Sequence, residues 1–435
     1  MTSLRWIHIL LMHAYGGAIS LAGAIGHRKA QGWKRMRQGQ LMRLRRATDK
    51  LGEFEQWHWF HCSSVGEFEQ ARPVMEKYRQ RHPEAPFLLT FFSSSGWDAF
   101  QAKPPVWWRS TDVVAALPLD TPRRVRSFLE ALTVSGSKAP AVAWLALTKY
   151  DVWPELIRAL ANRGIKKGVF AAHVIEGRWP FRTGGAGHRR AWRQLDFVWT
   201  QGEESTAPLD KFGIVPVVFG DPRFDRVVEF VAEAHRTHDE VLERWVGGRV
   251  CLIIGSAWPE EISAALEIWH DELAMIVVPH EWKGSDVMNW KEQWKKKGAN
   301  PVVWSEHRAS NAAAELPPGD VLLVDAMGHL MRLYAHADAA IVGGGFGSGV
   351  HNTLEPAVHG LPVWTGPRGT RFREIQAMQE LGCLTVCNSE EEMVRDVRTH
   401  LANSKELKRK GQLAKEFAAS QQGAAEALVE ALSSL

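Results

Sequence analysis

Short apolar runs rich in Val, Ile, Phe and Trp alternate with longer stretches of helical periodicity along most of this chain, and that rhythm restricts it to parallel α/β architecture. The runs fall into two sets. The first lies at residues 57–62, 86–92, 113–119, 141–147, 167–173, 197–201 and 215–219, the second at 249–255, 274–278, 301–304, 321–325, 339–343, 361–364 and 384–387. Between them, residues 225–248 are polar and helical with no strand-like run, which marks a domain boundary. The expectation is two doubly wound, Rossmann-like domains at 27–225 and 249–435, joined by a linker at 226–248, facing one another across a cleft. Ligands then bind outside the carboxyl ends of the strands. The stretch 306–319 reads as a surface loop.

At 435 residues, 45% hydrophobic and 23% charged, the chain has the mix of a globular enzyme. A net charge of +4 is too small to point to nucleic acid. The cysteines, Cys62, Cys251, Cys383 and Cys387, are too scattered for a disulfide framework or a four-thiolate zinc site. They read as small buried hydrophobes of a reduced, cytoplasmic protein, the C-x3-C pair included.

The distribution of charge is more informative than its sum. Residues 6–25 are mostly apolar, and the following segment from Arg28 to Arg46 carries eight cations and no acid. Residues 1–26 are therefore expected to form a membrane-associated helix, held at anionic headgroups on the cytoplasmic side by its basic flank. Arg5, His8 and His13 favour an interfacial position over a span. Two other readings remain open: a secretory signal, since Ala22-Gly23-Ala24 has small cleavage-site residues, and an amphipathic helix packed on the protein.

The loops after the strands carry the chemistry. Val342-Gly343-Gly344-Gly345-Phe346-Gly347-Ser348-Gly349-Val350-His351-Asn352-Thr353-Leu354-Glu355 follows an apolar strand and opens a helix, whose free N–H groups suit a phosphate. It fits neither the dinucleotide fingerprint nor the P-loop. Asn352 and Glu355 have the spacing of a capping box, a purely structural alternative. Ser256 to Glu261, Pro279-His280-Glu281 and Asp325-Ala326-Met327-Gly328 end further strands of the second set, and together these loops describe a nucleotide site. In the first set, Ser63-Ser64-Val65-Gly66-Glu67 and Lys149-Tyr150-Asp151 occupy the same position. Glu67 suits a helix's first turn, and it equally suits a general base for an acceptor hydroxyl.

In order and spacing, "FHCSSVGEFEQ", "LTFFSSSG", "LPLDTP", "KYDVWPE", "FGDPRFDRV", "IGSAWPEE", "VVPHEW", "VDAMGHL" and "VGGGFGSGVHNTLEPAVHGLPVWTGP" resemble the Kdo (3-deoxy-D-manno-octulosonic acid) transferases of lipopolysaccharide biosynthesis. The resemblance implies a GT-B glycosyltransferase of the inner membrane's cytoplasmic face, without metal or cofactor, moving Kdo from CMP-Kdo to a lipid A precursor with inversion. It implies a general base at Glu67 and an essential acid at Asp151. Donor contacts are implied at Ser256, His280, Met327, Gly328, Gly345 in the glycine-rich loop, Asn352 and Glu355. Many relatives carry an acid where Lys149 stands, glutamate where Asp151 stands, and arginine where Pro279 precedes His280. Another GT-B enzyme, a hexosyltransferase or epimerase, and a degenerate sugar-nucleotide-binding protein at the membrane are the alternatives.

Overall fold

The computed structural model describes residues 3–234, 239–308, 315–347, 349–370 and 372–435. Residues 309–314 of the expected surface loop and Ser348 of the glycine-rich run fall outside them. The chain divides into two compact units, Met1–Asp225 with Gln422–Leu435, and Arg226–Gln421.

In the first unit the strands are β1 (Trp57–Cys62), β2 (Phe87–Phe91), β3 (Val113–Ala116), β4 (Val142–Thr148), β5 (Lys166–Ala172), β6 (Phe197–Thr200) and β7 (Val217–Val218). They form one parallel sheet ordered β3-β2-β1-β4-β5-β6-β7. Its helices include α1 (Ser3–Ala24), α2 (Arg28–Arg37), α3 (Gln40–Thr48), α4 (Val65–Arg81), α5 (Ser94–Ala102), α6 (Pro122–Ala131), α7 (Pro154–Ala161) and α8 (Ala186–Trp192). Alternation along β1 sends its residues to both faces. Trp57 and Trp59 join one core with Phe128 of α6 and Leu156 of α7, whereas Phe60 and Cys62 join another with Phe68 and Met75 of α4. Pro122 and Pro154 open α6 and α7, where a missing N–H costs nothing. β3 is shorter than the expected 113–119 because Pro118 cannot donate: the last ladder bond runs from Leu117 N to the Phe91 carbonyl at 2.8 Å.

The second unit holds β8 (Val250–Ala257), β9 (Leu273–Pro279), β10 (Pro301–Val303), β11 (Val321–Leu323), β12 (Ala339–Val342), β13 (Val363–Thr365) and β14 (Leu384–Val386). They too are all parallel, in the order β10-β11-β9-β8-β12-β13-β14. The apolar faces of β8 again diverge. Leu252 and Ile254 pack with Ile262 and Ala265, while Cys251 and Ile253 pack with Leu242 and Trp245. All four cysteines are buried and free.

Three boundaries differ from the sequence expectation. Residues 226–248 are not a bare linker: they include the end of helix Arg223–Ala234 and the helix Glu240–Val246, and the latter contributes Leu242, Trp245 and Val246 to the second unit's core. The last helix, Ala424–Ser433, returns to the first unit, where Leu428, Val429 and Leu432 pack with Phe60 and Tyr78. The Asp225 carboxylate holds its start, accepting from Gly423 N at 2.7 Å and Ala425 N at 3.0 Å. Finally, α1 belongs to the first unit. Arg5 donates to the buried Glu155 carboxylate from Nε at 2.6 Å and from Nη2 at 2.8 Å, and His8 Nε2 lies 2.7 Å from the buried Asp120 carboxylate.

These contacts account for Arg5 and His8, which a bilayer would reject. The outer face, with Trp6, Ile7, Leu10, Leu11, Leu21 and Ile25, stays exposed, and Leu4–Ala24 is long and apolar enough to cross a membrane. The basic flank is not uniform. Arg37 lies 3.5 Å above the Trp33 ring, donates to the Phe92 and Leu117 carbonyls, and is pushed down to about 9 by burial. It is a packing residue, so the expected eight surface cations include one that faces the core.

Candidate functional site

In each unit the order of strand addition reverses at one place, and ligand loops belong there. In the first sheet the place is between β1 and β4, which are neighbours. Glu67 lies in the first turn of α4, directly after β1, and Asp151 lies in the loop after β4.

Glu67 is built into the start of its helix. Ser64 caps α4 by accepting from Glu67 N, and the Glu67 carboxylate accepts from Ser63 N. The structural and chemical readings of this residue are thus compatible, since one carboxylate oxygen suffices for the backbone contact. Ser63 also donates its hydroxyl to Asp151, so a single residue touches both acids. Behind it, His61 is fully buried, with Nε2 3.1 Å from Ser63 Oγ, and burial depresses its pKa to about 3. It stays neutral and serves the network as a hydrogen-bonding group.

Glu67 is only 7% exposed, and its pKa is raised to about 8, first by burial and then by the Asp151 charge. Asp151 is raised to about 6 by burial. Lys149 offsets part of the effect on Glu67. Its backbone adopts φ 71°, a left-handed conformation that is costly for a residue with a side chain and that turns the chain sharply out of β4.

In the second sheet the reversal lies between β8 and β12. Ser256, near the end of β8, has φ 51° at a register shift in that strand. A Cβ on Gly343 would come within 2.2 Å of the Ser256 carbonyl oxygen, and one on Gly345 within 2.2 Å of Gly366 N. These glycines are therefore demanded by loop packing before any ligand is considered. Buried Glu261 fastens the loop: it accepts from Gly344 N at 3.1 Å and from Trp258 N at 3.0 Å, and burial raises its pKa to about 7.

His280 follows β9 and is held between two rings, stacked on Trp258 at 4.9 Å and tilted against His351 at 4.3 Å. Trp258 Nε1 donates to His351 Nε2 at 3.3 Å, which leaves the proton of neutral His351 on Nδ1. Beside this stack a cavity of about 520 Å³ is lined by Trp258, Ile262, His280, Glu281 and Trp290. Met327 is exposed after β11, next to Gly328 at φ 85°.

Asn352 and Glu355 do not make the capping box. Asn352 Oδ1 accepts from Leu354 N at 3.0 Å, and its amide donates to Glu355 Oε1 at 3.1 Å. The helix begins after Thr353, whose side chain does not cap it. Burial raises Glu355 to about 7, leaving the Asn352 amide as its side-chain partner.

The structure therefore gathers Glu67 and Asp151 in one unit, and in the other Ser256, His280, Gly345, Asn352 and Glu355 on loops at the ends of β8, β9 and β12, with Met327 and Gly328 after β11. Sequence reasoning did not single out Ser63, Trp258, Glu261 or His351. Each lay inside a quoted motif, but only three-dimensional contact reveals its part.

Two seven-stranded parallel sheets on two units define the GT-B class of fold. The chain is similar to MurG of Acinetobacter baumannii with a TM-score of 0.53 at 11% identity, over 88% of this chain and 100% of that one, a likeness of fold alone. The family is more specific. The model of the 3-deoxy-D-manno-octulosonic-acid transferases (kdotransferases) matches residues 31–226. The 3-deoxy-D-manno-octulosonic acid transferase of Aquifex aeolicus is 24% identical over 80% of this chain and 87% of its own length. That of Haemophilus influenzae is 26% identical over 86% of each. In sequence the chain is similar to the Kdo transferases over most of its length.

Proposed function

We propose that this chain is an inverting glycosyltransferase that moves Kdo from CMP-Kdo to a lipid A precursor in lipopolysaccharide biosynthesis. The observation that carries the reading is the pair of shielded carboxylates, Glu67 and Asp151, at the reversal point of the first sheet. A base must hold a proton taken from a sugar hydroxyl, and a carboxylate raised to about 8 has gained affinity for one. Glu67 deprotonates the acceptor hydroxyl, which attacks the anomeric carbon as the bond to CMP breaks. Asp151 keeps Glu67 basic. The attacked carbon gains oxocarbenium character in passing.

The second unit takes the donor. His280, fixed in its ring stack, and the backbone N–H groups of the glycine-rich loop receive the phosphate charge as CMP leaves, an arrangement that needs no reorganisation during the reaction. Glu355, oriented by Asn352, accepts from the ribose hydroxyls. Ser256, Met327, Gly328 and Gly345 complete the contacts.

The exposed apolar face of α1 and the outward cations of α2 and α3 hold the protein on the cytoplasmic face of the inner membrane, where a phosphorylated lipid acceptor is found. Purified protein, CMP-Kdo and a lipid A precursor should give a product heavier by Kdo in mass spectrometry. A UDP-sugar that competes with CMP-Kdo and is itself consumed would overturn the assignment in favour of another GT-B enzyme.

A further inference from the structure

The motif Leu117-Pro118-Leu119-Asp120-Thr121-Pro122 has no part in the chemistry above, yet Asp120 is 1% exposed and its carboxylate reaches two other elements. Its Oδ1 accepts from Leu156 N at 2.9 Å, and its Oδ2 accepts from Glu155 N at 3.0 Å. These are the first two amides that α7 offers, since Pro154 has none and Trp153 does not cap the helix with its side chain. The same Oδ2 lies 2.7 Å from His8 Nε2 of α1. One buried carboxylate thus joins the membrane-facing helix to the start of α7, three residues beyond Asp151.

A second path ends at the same turn. Tyr15 of α1 stacks on Phe92 at 5.9 Å, and Phe92 packs against Trp153 at 4.6 Å. Glu155, two residues after Trp153, is held by Arg5 of α1 and by Arg158 at 2.5 Å. The loop from Lys149 to Trp153 is therefore anchored at its exit chiefly by residues that α1 touches. At its entrance it is tied by Lys149 N donating to the Phe170 carbonyl at 2.9 Å.

We infer that Asp120 is a positioning residue that couples the seating of α1 to the placement of Asp151. This rests on the reading of Asp151 as an acid of the active site. A catalytic carboxylate displaced by about 1 Å can lose on the order of 100-fold in rate, so a loop anchor remote from substrate is able to control turnover. Asp120→Asn keeps the size of the side chain but turns an N–H toward one of the α7 amides, freeing that turn and weakening the tie to His8.

The test measures turnover, donor affinity and amide hydrogen exchange of residues 149–156 in the full chain in detergent. Asp120→Asn should lower kcat about 10-fold to 100-fold with CMP-Kdo affinity unchanged, and exchange at 149–156 should quicken. His8→Leu should act in the same direction, while His8→Gln, whose amide donates to Asp120, should restore both readouts. His8→Leu should add nothing on top of Asp120→Asn, as expected for one pathway. A lowered Tm with wild-type kcat and unchanged exchange in His8→Leu would overturn the coupling and leave Asp120 a simple helix cap. The His8 pair decides the question even where Asp120→Asn fails to fold. The exchange readout does not depend on Kdo transfer, so failure of the proposed reaction and failure of the coupling are told apart.

Discussion

The loops at the two reversal points solve different problems with different materials. In the first unit, ionisable side chains are drawn out of water: Glu67 and Asp151 share Ser63, and burial raises both. In the second, the backbone itself is shaped. Gly343 and Gly345 lie against Ser256 and Gly366, and the rings of Trp258, His280 and His351 lock one another. The first arrangement strains protonation and so ties stability to pH, while its shape rests on few contacts. The second makes shape and stability inseparable, because the atoms that form the donor loop are also its packing.

The largest expected effect sharpens that contrast at Glu67. Glu67→Gln keeps the shape and can still accept from Ser63 N, but it cannot take a proton. Transfer should fall about 100-fold to 10,000-fold while CMP binding survives. Steady-state rates and calorimetric CMP titration on the folded variant check this. Near-normal turnover would remove Glu67 as the base and with it the chemical role of the first loop. In the wild type, kcat/KM should rise with pH through about 8, since the base works only when ionised.

Gly343→Ala tests the second loop. The new methyl group has a carbonyl oxygen at 2.2 Å, so β8 or the loop must move, and overpacking of this kind costs about 1–3 kcal/mol. Urea denaturation should show that loss together with weaker donor binding. Full stability with weakened binding would mean that the glycine exists for the ligand and not for packing.

What the sequence disclosed follows from the same division. Strands buried on both faces are continuous apolar runs, so all the expected strand positions could be read, and Gly, Pro and acids punctuated the loops after them. The pairing of Glu67 with Asp151 depended on strand order, which no local pattern encodes. The return of Ala424–Ser433 to the first unit was invisible because a helix's apolar face does not say which unit it meets. Arg37 looked like its neighbours in a basic run, and only Trp33 and the carbonyls around it turned it inward.

Glu355 stands between the two kinds of region, a buried carboxyl on a backbone-built loop. Because its bond is to the Asn352 side chain and not to a helix amide, Glu355→Gln should spare stability. Losing a charged acceptor for ribose should weaken CMP-Kdo binding roughly 3-fold to 10-fold. Titration calorimetry beside thermal melts separates the two. Unchanged affinity would leave Glu355 only an orienting contact for Asn352.

A last effect lies in stability, where the first loop should reveal what it costs the fold. A carboxyl raised by burial is protonated in the folded chain at pH values where the unfolded chain has already released its proton. The folded state then binds more protons than the unfolded one, so stability falls as pH rises. For Glu67 the window runs from the ordinary carboxylate range up to about 8, and above it the loss is complete. Glu67→Gln has no such proton. Its Tm should therefore climb relative to wild type between about pH 5 and pH 8 and hold a constant lead beyond. A gap that does not widen with pH would mean that Glu67 is ionised in the resting protein and that water or Lys149 stabilises its charge. The loop would then owe its reactivity to position alone, and the contrast with the donor loop would narrow to one of geometry.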